Sequence, residues 1–247
     1  MKTAHTTPLS PLKSRSSSLD LIKWLAMLTM VIDHLRLVWP EMSNLFIPGR
    51  LSFPLFCVAI AANVARSKPG ELLTATNGRY LALMLFFAAI SEVLYRYIST
   101  SGSFNVLVTL ALGLVIALGW QHRTLLSGAI ALMAAAVAYV LDDSLMYGFY
   151  GSLVPAAVLV AIKTPGALWL LPAALCLLSN TRSSIVTRAL DLEIYSMLAL
   201  STAFVAPLIG LWLLRQTFIF KVWPVRQWGY WFYPGHLVAL QALRLLV

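Results

Sequence analysis

The chain has 247 residues, of which 60% are hydrophobic and only 11% charged, with a mean hydropathy of +0.82. A soluble domain carries about 25% charged and about 45–50% apolar residues, so this composition excludes a soluble enzyme, a secreted disulfide module, a coiled coil and a disordered protein. The net charge of +9 comes from 18 Lys and Arg against 9 Asp and Glu. These basic residues punctuate apolar runs instead of forming a stripe, which is the positive-inside pattern of a membrane protein and not a nucleic-acid footprint.

Residues 1–19 are polar, with Lys2, Lys13 and Arg15 among Ser, Thr and Pro, and read as a disordered cytoplasmic tail. The following stretch, 21–39, is too long for a signal-peptide core, carries charges and lacks a small-x-small cleavage site, so it reads as a retained first helix. Further apolar spans follow at 51–65, 80–98, 104–120, 125–141, 149–162, 166–179, 194–214 and 230–247. Breaks at Pro40, Lys68-Pro69-Gly70, Ser101-Gly102-Ser103, Asp142-Asp143, Thr164-Pro165-Gly166, the polar run 180–193 and Pro224 separate them. Residues 20–247 are therefore expected to form one all-α, polytopic membrane bundle of about nine (8–10) transmembrane helices. Cys57 and Cys176 sit inside apolar runs and read as packing residues.

With the N-terminus inside, the inner loops collect Arg66, Lys68, Arg79, Arg123, Lys163, Arg215, Lys221 and Arg226. The outer loops collect Glu41, Asp142, Asp143, Asp191 and Glu193, with Arg182 and Arg188 as exceptions. That alternation predicts a cytoplasmic N-terminus.

Ionisable side chains inside spans are costly and mark sites by default. The first helix holds Asp33, His34 and Arg36. Asp33 and Arg36 can pair at i,i+3, while His34 points about 100° away from Asp33. The second span opens Gly49-Arg50-Leu51-Ser52-Phe53-Pro54-Leu55-Phe56. There Arg50 can either snorkel to the interface or bind a ligand. In the third span Glu92 can pair with Arg96 at i,i+4 or serve a site. Asn105 and Thr109 share one helix face, and Tyr147 stands at an outer rim. At 1.5 Å of rise per residue, His34 and Glu92 lie about 7–9 Å below the outer ends of their helices, level with Arg50 at its mouth. By the same arithmetic His236 lies about 9 Å above the inner face, so that either the site spans the membrane or the helix count has the wrong parity, two alternatives between which the sequence does not choose. No metal motif, nucleotide-binding glycine loop or serine nucleophile elbow occurs, and glycine-rich helix pairing is not prominent.

Three blocks resemble the TraX family, membrane proteins of bacterial conjugation whose F-type member acetylates pilin. They are Ile22-Lys23 with Met30-Val31-Ile32-Asp33-His34, then Gly49-Arg50 with Phe53-Pro54-Leu55-Phe56 reaching Asn63 and Arg66, then Tyr233-x-x-His236-Leu237. Weaker echoes are Asn77-x-Arg79, Asn105 with Thr109, and Tyr147-Gly148. The resemblance implies a multi-pass acyltransferase of the bacterial inner membrane, with acetyl-CoA as acyl donor, the pilin N-terminus or an equivalent envelope acceptor, and no metal. It implies catalysis by His34, Asp33, Arg50 and His236, with His34 as general base and Arg50 on a carboxylate or developing oxyanion. Substrate contacts would fall to Phe53, Glu92, Asn105, Thr109, Tyr147 and Tyr233, and the CoA phosphates to Arg66 and Arg79. Two readings from other classes stand beside it. One is a proton-coupled transporter, for which the chain lacks an internal repeat; the other is a non-enzymatic scaffold of pilus assembly.

Overall fold

A computed structural model of the protein describes residues 17–99, 101–164, 166–181 and 184–246. Most of the expected N-terminal tail, together with Pro165 and Arg182, lies outside the described residues. The described chain is helical, with one isolated bridge between Phe104 and Leu145. The helices are α1 (Ser17–Leu35), α2 (Phe46–Gly49), α3 (Ser52–Val64), α4 (Ala75–Ile98), α5 (Val106–His122) and α6 (Leu125–Val140). They continue with α7 (Gly148–Lys163), α8 (Leu170–Leu178), α9 (Ile185–Leu190), α10 (Ile194–Leu214) and α11 (Trp228–Leu246).

Local chemistry sets several of the starts. The Thr74 side chain accepts from Asn77 N, the Asn105 side chain from Leu107 N, and Thr124 with Ser127 forms a reciprocal capping box. The second apolar segment begins well before the predicted 51. A 3-10 turn at Pro40–Leu45 and the short α2 run into α3, and Pro40–Val64 is long and apolar enough to cross a bilayer. Ala75–Ile98 and Ile194–Leu214 meet the same criterion, whereas α5, α6, α7 and Ala167–Leu178 are apolar but shorter. Helix length alone therefore marks fewer spans than the apolar runs predict.

The connections alternate between two ends of the bundle. One end gathers Arg66, Lys68, Arg79, Arg123, Lys163, Arg215, Lys221 and Arg226; we call it the basic end. The opposite, acidic end carries Glu41, Asp142, Asp143, Asp191 and Glu193. Cross-links at each end fix the alternation. Gln121 Nε2 donates to Ser67 O and Lys163 Nζ to Gln121 at the basic end. Tyr195 Oη donates to Ser43 O and Arg244 to Ile98 O at the acidic end.

Leu85, Phe86, Val93 and Tyr97 of α4, and Leu132, Met133, Val137 and Tyr139 of α6, are exposed apolar side chains facing outward. The interior is fully apolar around Ile22, Leu55, Leu114, Val158 and Leu211. Where lipid would be no less apolar than the neighbouring helix, close backbone approach has to supply the cohesion. Gly113 meets Pro155 of α7, Gly119 meets Ala131 of α6, and Gly210 meets Val58 of α3, each too tightly for a Cβ. Isolated glycines thus supply close helix approach although Gly-rich pairing is not prominent in the sequence. They escape a motif search because each glycine serves a different partner helix.

One connector decides the depth of α11. Residues 215–227 do not stay outside the bundle but climb along the first turns of α1. Ser18 Oγ donates to Gln216 O, Val225 N to Asp20 Oδ1, Lys23 Nζ to Val225 O, and Trp24 Nε1 to Trp223 O. From Ser18 to Trp24 is about 9 Å of helix rise. Helix α11 therefore starts that much farther along α1, with Trp24 and Trp228 rings 5.5 Å apart.

Candidate functional site

Starting α11 higher brings His236 level with His34, although the span arithmetic separates them. His34 Nδ1 lies 2.8 Å from His236 Nε2, with the rings parallel to 6°. His236 Nδ1 lies 3.1 Å from Phe232 O. A carbonyl oxygen only accepts, so that His236 nitrogen carries the proton and, in the neutral ring, Nε2 carries the lone pair. His34 must then donate through Nδ1, which leaves its own lone pair on Nε2. The second histidine thus fixes the tautomer of the first, as a carboxylate does in a hydrolase triad. Phe232 and Tyr233 flank the His236 ring at 5.8 and 5.2 Å.

His34 lines a cavity of about 550 Å³ at the acidic end; His236 stands behind it. The walls come from α1, the α2–α3 corner, the 99–106 connector, Tyr147, Asn180 and Tyr233. Asp33 is buried and pairs with Arg36 at 3.1 Å. Gly49 makes this possible: a Cβ there would fall 2.5 Å from Asp33 Cβ and Oδ1. The Gly-Arg step therefore lets the α2–α3 corner close onto α1 and carries Arg50 into the cavity wall.

Arg50 does not reach away to an interface. Its guanidinium lies 3.9 Å from the Phe46 ring centroid and 5.7 Å from that of Tyr147, and Nη1 donates to Asn180 Oδ1 at 3.3 Å. Its Nε is buried without a hydrogen-bond partner. Phe53 and Tyr147 stack at 3.8 Å between centroids and form one wall. Tyr233 is buried on the cavity side of α11. Thr109 Oγ1 is unpartnered, with Thr109 Cγ2 meeting the same Gly151 Cβ position that Phe53 and Tyr147 close around.

Glu92 and Asn105 are not among the cavity's lining residues. Glu92 Oε1 accepts from Arg96 Nε at 2.6 Å, and Oε2 accepts from Asn105 N and Nδ2 at 2.8 and 2.7 Å. Asn105 Nδ2 also donates to Ala88 O, so this cluster closes on itself and ties α4 to the start of α5. Whatever depth Glu92 shares with His34, its carboxylate is engaged by Asn105 and Arg96.

Arg66 and Arg79 lie at the basic end, on a second cavity of about 740 Å³ shared with Lys68, Asn63 and Tyr80. The connector bearing Arg66 and Lys68 is pinned from beneath by Gln121 on Ser67 O and by Asn77, which donates to Leu72 O and meets His122 Nε2 at 3.2 Å. Asn180 and Phe46 also line the polar cavity and carry no signal in the sequence, whereas Phe56, which lines it too, belongs to the Phe53-Pro54-Leu55-Phe56 block. Asn180 falls in a run that reads as a loop, and nothing in its neighbours distinguishes it. Among the described residues no group of three or more His, Cys, Asp or Glu stands together as a metal would need.

The family model for TraX protein matches residues 18–244, nearly the whole chain. The chain belongs to the TraX family. TraX membership, with the apolar bundle, makes it a conjugation-associated membrane protein. No curated protein and no solved structure matches it.

Proposed function

We propose that this TraX protein is an acyltransferase that moves an acetyl group from acetyl-CoA to the N-terminal amine of pilin or an equivalent envelope acceptor, with His34 as general base. The observation that carries this reading is His34 at the cavity wall, backed by His236. A base whose far nitrogen is occupied by a fixed acceptor presents its lone pair in one direction, which proton abstraction requires. The acceptor amine adds to the thioester carbonyl carbon while its proton passes to His34 Nε2. As the C–N bond forms and the C–S bond breaks, the thiolate leaves and takes that proton from His34 as the free thiol. The oxyanion that develops between these events needs a cation or a strong donor, and the Arg50 guanidinium on the same cavity fills that role. His236 touches neither reactant and acts as a positioning residue. Asp33, tied to Arg36 and Gly49, holds the α1 end in place.

The Lys/Arg distribution supports an orientation with the basic end cytoplasmic in the inner membrane, so that the histidine cavity opens to the far side, where an envelope acceptor resides. The deciding measurement is the intact mass of pilin from cells with and without the protein. An acetyl increment that depends on the protein, and on His34, supports the assignment. An unchanged mass removes pilin as acceptor, and purified protein failing to consume labelled acetyl-CoA removes the acyltransferase reading.

A further inference from the structure

Between the polar cavity at His34 and the basic cavity at Arg66 lies a third, smaller one of about 140 Å³. Met30, Phe56, Val106 and Tyr233 line both this waist and the histidine cavity. Asn63, Tyr80 and Tyr230 line both the waist and the basic cavity. The three spaces therefore adjoin in series from one end of the bundle to the other. On α3 the waist runs from Phe56 to Asn63, about 10 Å by helix rise.

The chemistry changes along this line. The basic cavity offers Arg66, Lys68 and Arg79, the groups that hold phosphates. The waist is apolar apart from tyrosine hydroxyls, Asn63 and two cations at its lower rim, Lys23 and Arg226. At its upper end sits the Tyr233 hydroxyl, on a side chain only 6% exposed.

We infer that these three cavities form a single shaft that seats an acyl phosphopantetheine thioester end to end, its phosphates in the basic cavity, its linear arm in the waist and its acyl carbon beside His34. The inference rests on the acyltransferase reading and adds the route by which a donor at the basic end meets an acceptor at the acidic end. At about 140 Å³ the waist is too small for a nucleotide, so the head of the donor stays at the basic end while its acyl group reaches the other. The thiol product withdraws along the same path. Tyr233 closes the waist against the His236 ring and is the donor-facing hydroxyl at that point.

Ala59 lines the waist and takes no part in the cavities at either end. The test compares acetyl-CoA with S-acetyl-N-acetylcysteamine, which carries only the reactive end of the arm and enters from the acidic end. Full-length Ala59→Phe in nanodiscs should lose at least about a hundredfold in kcat/KM for acetyl-CoA while keeping its use of the small thioester and its melting temperature. Arg66→Gln/Arg79→Gln, at the exposed mouth, should raise KM for acetyl-CoA about tenfold or more relative to the small donor, as loss of charge-assisted phosphate contacts predicts. This second variant decides the matter if Ala59→Phe does not fold. A folded variant of either kind with an unchanged ratio between the donors overturns the shaft. Wild-type protein that uses neither donor overturns the acyltransferase reading instead, before any variant is made.

Discussion

Two clusters of ionisable groups stand at the acidic end of the bundle and have opposite fates. Glu92, Arg96 and Asn105 satisfy one another, and both carboxylate oxygens of Glu92 are taken. His34 and Arg50 border an open cavity with His236 behind them, and this set keeps a lone pair on His34 and an unpartnered Arg50 Nε. Both clusters look alike from sequence, since each places charge in an apolar helix. The difference teaches that an intramembrane charge signals a site only where its hydrogen-bond capacity faces empty volume. A charge whose partners are all protein is a strut.

The contrast is broken most directly at His34. His34→Ala should lower turnover about 10²–10⁴-fold, the usual contribution of a general base, with melting close to wild type. His34→Gln should be nearly as poor, because an amide cannot take a proton at neutral pH. Wild-type rate should fall toward acid, as a proton occupies the Nε2 lone pair before the acceptor can use it; the residual activity of His34→Ala should lack that limb. Acyl transfer and thermal melting measured on both variants decide it, and a stable, fully active His34→Gln protein would remove His34 from the mechanism.

His236 sharpens the same comparison at smaller amplitude. His236→Phe keeps an aromatic ring but removes the acceptor for His34 Nδ1–H, and should cost about 10–100-fold in kcat with little change in KM. His236→Gln, whose amide oxygen can accept that proton, should recover most of the loss. Equal defects in the two variants would show that ring packing, not the hydrogen bond, is what His236 supplies.

Arg50→Lys should raise KM or lower kcat about tenfold, since an ammonium retains the charge but not the planar stack on Phe46 or the fork toward Asn180. Full activity at low substrate would return Arg50 to a structural role. The smallest effect belongs to the closed cluster. Glu92→Gln keeps an acceptor for Asn105 but loses the partly exposed Arg96 pair, at a cost of about 0.5–1 kcal/mol. It should lower melting slightly and leave kcat and KM unchanged; a kinetic defect without a stability loss would place Glu92 in the site after all.

Much of the site was legible one residue at a time. His34, Arg50, Phe53, Tyr147 and Tyr233 stand out as polar or aromatic groups in or beside apolar runs, and the structure sets them around one cavity. The Asp33–Arg36 pair follows from i,i+3 spacing, and it forms. Asn180 was not legible, because a loop asparagine gains meaning only from the Arg50 side chain 130 positions away in sequence. The depth of His236 was not legible in the sequence, for a specific reason. Depth was counted from the apolar boundary of its helix, whereas the 215–227 connector climbs α1 and moves that boundary inward.

Hydrophobic patterning is a local property of the chain, so the sequence by itself determined the membrane class, the all-helical architecture, the approximate helix limits and the segregation of basic from acidic connections. A cavity is a property of the space between elements. Whether His34 meets His236, whether Glu92 is spent on Asn105, and whether three voids adjoin from Arg66 to His34 depend on helix depth and on close approaches such as Gly49 against Asp33. Those offsets are set by packing among segments up to about two hundred positions apart, where no local spacing rule operates, and only the tertiary structure decided them.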